Sequence, residues 1–246
     1  MRIIVFNQKG GVGKTTTALN LGAALARAGQ SVTLIDLDPQ MHLTAALGFL
    51  RPGFAYSVRD WLAGQSGTPL ALEQGLSLVP GVPESAMDAA DSAMGGAALL
   101  RDMPGITILD APPVWSRGIA HLVRASDLVL SPLEPDFLGL QGVNRLLQTL
   151  QDENIPRDRL RLLLSRFAPR LGVHRAVRES LAQRFAPPVL VPLVIRNSVR
   201  LAEAPGHARS VFDHAPTSTG ARDFAALARL LLSEIPTGLT VKETTP

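Results

Sequence analysis

The sequence predicts an α/β fold: a mostly parallel, twisted sheet with helices on both faces. Two observations carry that prediction. Short continuous apolar runs alternate along the chain with segments whose apolar residues recur at helical spacing. The runs themselves do not alternate apolar with polar, which is how strands buried on both faces read. The 246 residues are 46% hydrophobic and 18% charged, enough for a sizeable core.

Taken in order, residues 2–7 form a short β-branched run and predict the first strand. Residues 14–28 carry Ala18, Leu21, Leu25 and Ala28 on one helical face, and Gly29 ends that helix. Residues 31–37 predict the second strand. Residues 76–79, 105–110 and 127–132 predict three more. A helix is expected over 139–151, a strand over 160–165, an amphipathic helix over 173–185, a strand over 189–193 and a closing helix over 221–234. Residues 64–69 and 81–96 are rich in glycine, proline and small side chains and read as insertions. No solenoid-type repeat interrupts the pattern. We therefore expect one domain over residues 1–235 and a flexible tail over 236–246.

Composition removes several chemistries. The chain has no cysteine, which excludes disulfides, thiolate zinc sites, iron–sulfur clusters and cysteine nucleophiles. No apolar run reaches membrane-spanning length and no signal peptide precedes the first strand, so a cytoplasmic location is expected. The five histidines show no metal-ligand spacing and are expected at the surface or hydrogen-bonded. Charge is uneven. Between Leu160 and Phe212 nine arginines face only Glu179 and Glu203, a local balance of +7 in a chain of net +3. Such asymmetry implies a basic face and an anionic partner.

Gly10, Gly11, Val12, Gly13, Lys14, Thr15 and Thr16 join the first strand to the first helix. Glycines let successive backbone N–H groups converge on one anion, and the helix N-terminus adds its dipole. Lys14 then serves the β- and γ-phosphates, the Thr15 hydroxyl a Mg²⁺ ion, and Thr16 the α-phosphate. This narrows the fold to the P-loop NTPase type, with Gln8 standing where the usual pattern has its first glycine. Dinucleotide loops have no lysine here. Lys9 lies on the same loop; its spacing allows it to fold back on its own nucleotide or to reach one held by a facing subunit.

A P-loop also needs carboxylates. Asp110 ends an apolar strand, where a Mg²⁺-side aspartate belongs. Asp36 and Asp38 end the second strand two residues apart, so both project toward the carboxyl edge where α/β ligands bind.

These residues resemble the ParA/MinD ATPases with the deviant Walker A motif. Lys9 to Thr16 is similar to that motif, Asp36-Leu37-Asp38-Pro39-Gln40 to the second motif, and Leu109-Asp110-Ala111-Pro112-Pro113 to Walker B. Glu134-Pro135 with Leu140-Gln141-Gly142, and residues 199–207, resemble later signatures of the ParA branch, so the likeness spans residue 3 to about 232. The resemblance implies ATP and Mg²⁺ as cofactors and a sandwich homodimer closed by ATP. Lys9 then touches the other subunit's phosphates, Lys14 its own, and Asp38 positions the attacking water. Thr15, Asp36 and Asp110 serve Mg²⁺, the carboxylates through water. It further implies nonspecific binding to nucleoid DNA through Arg170, Arg196 and Arg200, and hydrolysis stimulated by a ParB-like or cargo adaptor protein. The sequence departs from the family at Ala168-Pro169-Arg170-Leu171, at Ser198, and at Met41-His42, where glycine and asparagine are usual.

Two rival readings remain from sequence. A MinD-like membrane-cycling ATPase would need a basic amphipathic terminal helix, which residues 236–243 do not resemble. A metabolic ligase of the dethiobiotin synthetase type would need neither Lys9 in trans nor the arginine-rich segment. Phe137 and Leu140 are expected in the core, and Trp115 either there or against a facing subunit.

Overall fold

A computed structural model describes residues 1–51, 53–83 and 92–234. The chain runs β1 (Arg2–Val5), α1 (Lys14–Arg27), β2 (Val32–Asp36), α2 (His42–Ala46), α3 (Val58–Leu62), β3 (Leu70–Ala71), β4 (Leu76–Val79), α4 (Ser92–Asp102) and β5 (Ile106–Asp110). It continues α5 (Arg117–Ala125), β6 (Leu128–Leu133), α6 (Phe137–Asp152), β7 (Leu160–Phe167), α7 (Gly172–Arg184), β8 (Leu190–Arg196), α8 (Val199–Glu203), α9 (Val211–His214) and α10 (Thr219–Ser233). The eight strands form one sheet in the order β3-β4-β2-β5-β1-β6-β7-β8. Among the described residues, only the short edge strand β3 is antiparallel; the other pairings are parallel. The expected fold class holds, and the carboxyl ends of β1, β2 and β5 to β8 share one edge.

Side-chain alternation along β1 splits the core. Ile3 and Val5 face α1 and α10, while Ile4 and Phe6 face α3 to α7. Phe224 and Leu227 of α10 and Leu21 and Leu25 of α1 are fully buried on the first side.

Among the described residues, six helices escape the periodicity reading: α2, α3, α8 and α9, each of four or five residues, and the longer α4 and α5. α4 begins inside the segment taken as an insertion, of which residues 84–91 lie outside the described residues. Its glycines serve contact, not looseness. A Cβ on Gly95 would sit 2.5 Å from the Gly64 nitrogen, and one on Gly96 would sit 2.8 Å from the Trp61 ring. α5 is short, but Ser116 caps it by accepting from the Ile119 N–H at 3.2 Å, and Ile119, Leu122 and Val123 form its buried stripe. Phe137 corrects an expectation: it is 68% exposed, because it opens α6 beyond the sheet edge, whereas Leu140 one turn on packs against the core. Trp115 packs edge-on against Phe6 with ring centroids 5.3 Å apart. The tail expected over 236–246 lies outside the described residues.

Arg2 does more than start a strand. Its guanidinium donates to the carbonyls of Leu100, Arg101 and Met103 at 2.9, 2.7 and 2.5 Å, capping the C-terminus of α4 where helix carbonyls lack partners. Arg2→Ala is expected to cost about 1–2 kcal/mol and to lower the melting temperature by about 3–6 °C, read by thermal circular dichroism.

Candidate functional site

The loop after β1 crosses the carboxyl edge of the sheet. Gly11 and Gly13 hold φ of 78° and 93°, the left-handed region that favours glycine. The loop is tied down from outside. Asn7 accepts from the Lys9 N–H at 2.9 Å and donates to the Pro132 carbonyl at 2.9 Å. The Ser165 hydroxyl, at the end of β7, donates to the Val12 carbonyl at 2.8 Å. Sequence reading missed both residues, since a lone Asn or Ser near a strand end carries no pattern.

Lys14 is buried, with 8% exposure, and its ammonium donates to the Lys9 carbonyl at 3.2 Å. Burial lowers its pKa, and Asp110 and Asp38 partly offset that. Asp110 is 1% exposed, and among the described residues neither carboxylate oxygen has a hydrogen-bond partner at bonding geometry. Burial pushes its pKa well above the usual carboxylate value, and the charge of Asp36 adds to this; the Thr15 hydroxyl and Lys14 oppose it. The two aspartates are directly paired in register across β2 and β5.

Asp36 differs from Asp110 in having partners. One oxygen accepts from the Thr44 N–H at 2.8 Å and hydroxyl at 2.6 Å, the other from the Asp38 N–H at 3.3 Å. Burial still raises it, against those hydrogen bonds, to about 6. Thr44 also accepts from the Gly81 N–H at 2.8 Å, joining α2 to the ends of β2 and β4. Asp36 is thus engaged within the protein, and Asp110 is the unpartnered carboxylate beside Thr15. Asp38 is half-buried and accepts from the Gln40 N–H at 2.9 Å.

Lys9 folds toward its own chain. Its ammonium lies 3.0 Å from Asp136 and 3.7 Å from Glu134. Asp136 also caps α6, accepting from the Gly139 N–H at 2.5 Å. Burial would raise Asp136, but that N–H and the Lys9 ammonium outweigh it and hold the carboxyl below its usual value. Glu134 is shared with Arg166 at 2.8 Å.

Beyond the loop a cavity of about 280 Å³ opens beside Thr16 and Thr17, lined by Arg166, Asn197, Ser198 and Phe224. It was not foreseen, because its walls come from β7, β8 and α10. Of the three arginines expected at DNA, Arg196 is the last residue of β8, and Arg170 and Arg200 follow the carboxyl ends of β7 and β8. Arg170 is exposed. Arg200 is exposed and pairs with Glu203 at 2.7 Å. Arg196 is committed to the buried Asp223 by a pair at 2.6 Å.

A glycine loop ending in a buried lysine, beside an unpartnered buried aspartate at the carboxyl edge of a parallel sheet, defines a P-loop nucleotide-binding protein. Residues 3–211 match the family described as the CobQ/CobB/MinD/ParA nucleotide binding domain, and the chain belongs to that family. The chromosome-partitioning ATPase Soj of Thermus thermophilus is 37% identical over 95% of this chain and 96% of its own. The chromosome partitioning protein ParA of Caulobacter vibrioides is 30% identical over 94% and 93%. Among solved structures, a cobyrinic acid a,c-diamide synthase from Mycobacterium smegmatis, with bound ATP analog and magnesium, is 29% identical, with a TM-score of 0.75 over 95% of this chain and 94% of that one.

Because Asp36 and Asp110 bind protons more tightly folded than unfolded, their contribution to stability is fullest below about pH 4 and is lost as pH rises through 6 and beyond. Without nucleotide or divalent cation, the melting temperature is expected to fall between pH 5 and pH 7. Asp110→Asn is expected to flatten that fall; a slope as steep as the wild type's would contradict it.

Proposed function

We propose that this protein is an ATPase of the ParA kind, which dimerises on ATP, binds DNA without sequence preference and hydrolyses ATP when an adaptor protein stimulates it. The observation that carries the reading is the pairing of opposites on one edge: a buried lysine and an unpartnered buried carboxylate around an anion-binding loop, with a second lysine at the rim. The residues fit a magnesium nucleotide. An orphaned buried carboxylate is costly unless a cation or donor satisfies it, and Asp110 beside Thr15 would hold Mg²⁺, Asp110 through water. The metal would supply charge neutralisation at the phosphates. Thr44 satisfies Asp36, so its role toward the metal would run through the position of Asp38.

Lys14 and the loop N–H groups bind the phosphate chain, and the cavity beside Thr16 has the room and walls for a nucleoside. Asp38, anchored at β2 but half-exposed, orients the attacking water. Lys9 delivers its cation to the twin's phosphates, so transition-state charge is fully met only in the dimer. Hydrolysis by the single chain is accordingly slow. Arg170 and Arg200 supply phosphate contacts, which give affinity without sequence information. Arg196, neutralised by Asp223, contributes less. The cargo is a plasmid, a chromosome or a protein assembly, reached through a ParB-like or other adaptor. The protein would reside in the cytoplasm on the nucleoid. No helix among the described residues is long and apolar enough to cross a membrane.

Asp38→Ala is expected to keep ATP-dependent dimerisation and DNA binding while hydrolysis falls by about 10²-fold or more, followed by phosphate release and light scattering; a normal rate would remove Asp38 from the chemistry. Arg200→Glu is expected to dimerise normally but to lose DNA. Each phosphate contact contributes about 0.9 to the salt slope, so two copies of Arg200 account for about 1.8 of it. An unchanged slope would take Arg200 out of the interface.

A further inference from the structure

The rim lysine is not free in the single chain. Its ammonium sits 3.0 Å from Asp136 and 3.7 Å from Glu134, both at the start of the segment that follows β6. Glu134 is itself held by Arg166 at 2.8 Å, and Asp136 by the Gly139 N–H at 2.5 Å. The loop end of Lys9 is fixed as well, since its own N–H is bound by Asn7 and its carbonyl by the Lys14 ammonium. The ion pair is therefore held at the backbone end of Lys9 and at the helix cap made by Asp136, while both charged side chains stay partly open to solvent, Lys9 at 28% and Asp136 at 41% exposure.

We infer that Asp136, with Glu134 behind it, is a latch: it parks the Lys9 ammonium on its own chain and so sets how readily two copies close. This rests on the reading that Lys9 acts across a dimer. A cation cannot satisfy the carboxylate at its own α6 and the phosphates held by a twin at the same time. Closing must break the pair at both ends of the dimer. An exposed ion pair is worth at most about a factor of five. Because two latches open per dimer, a change of about threefold per protomer multiplies to about ninefold in the association constant. The latch is weak enough for ATP to overcome and strong enough to hold down dimerisation at low nucleotide occupancy. It also gives an adaptor a point of leverage. A protein that engages Asp136 or Glu134 with a cation of its own would release Lys9 without touching the nucleotide.

Asp136→Asn is the direct test, because asparagine caps a helix as well as aspartate does and only the charge is lost. Association with a non-hydrolysable ATP analogue, measured by analytical ultracentrifugation, is expected to tighten by about 5- to 10-fold. Basal hydrolysis at sub-saturating protein is expected to rise with it. Asp136→Glu, which keeps the charge, is expected to stay within about twofold of wild type. In Lys9→Ala the further change Asp136→Asn is expected to do nothing to association, since there is no cation left to park. An Asp136→Asn protein that melts like the wild type yet associates no more tightly overturns the latch. So does a gain that persists in the Lys9→Ala background. If the wild-type protein binds the analogue but stays monomeric, the dimer reading falls and the latch with it.

Discussion

Asp110 is the constraint around which the carboxyl edge is built. Its carboxylate lies at 1% exposure with no hydrogen bond at bonding geometry among the described residues, and its register neighbour is a second aspartate. Left ionised, such a pair is costly; left protonated, it binds nothing. The nearby lysine is equally compromised, buried and lowered by its own desolvation. Each group is stable only in relation to the other and to what occupies the space between them. The scaffold concentrates its hydrogen bonds on the neighbours, holding Asp36 through Thr44 and the loop through Asn7 and Ser165, and leaves Asp110 unmatched. A protein that keeps one carboxylate unsatisfied while satisfying the next is poised for a cation.

That division of labour was only half legible in the sequence. The strands and most long helices followed from apolar periodicity, because a parallel sheet buried on both faces writes itself as continuous apolar runs. Lys14, Thr15, Asp38 and Asp110 could be singled out because phosphate chemistry calls for those residue types beside such a loop, and the structure brings Lys14, Asp38 and Asp110 close enough to act on one another's charge. Asp36 and Asp110 looked alike as strand-end acids; what separates them is Thr44, eight residues away and on another element. Arg196 looked like Arg200 until Asp223 of α10 came to meet it. α4 was hidden because its glycines signal a loop in sequence and close packing in space. In each case the missing information was a long-range partner, which no local pattern encodes.

Met41 shows the converse, a local departure that the structure explains. It holds φ of 55° at the entry to α2, a conformation that costs a non-glycine residue about 1 kcal/mol. The glycine usual in the resembling family would carry no such cost. Met41 sits three residues after Asp38 and donates its N–H to the Asp38 carbonyl at 2.8 Å. Its side chain lies against Gly81, where an added Cβ would meet it at 3.2 Å. The strain therefore falls on the short segment that carries Asp38, and it is held there by packing against the end of β4.

The apolar surface points the same way as the charges. Among the described residues, the large hydrophobic side chains left exposed include Val114, Phe137, Leu138, Leu171, Val173 and Val199. These follow the carboxyl ends of β5, β6, β7 and β8 in turn. An apolar side chain facing water singly needs no explanation, but a series along one edge of a sheet does. The same edge carries Lys9, the glycine loop and the exposed arginines. A second copy seated there would cover apolar side chains and bring in phosphates for Lys9 in one movement, so burial would drive closure while electrostatics would set its timing. Hydrophobic contact is indifferent to nucleotide, and alone it would make a permanent dimer. On the proposed reading, the parked lysine and the unmatched carboxylate would supply the dependence on ATP that the apolar rim lacks.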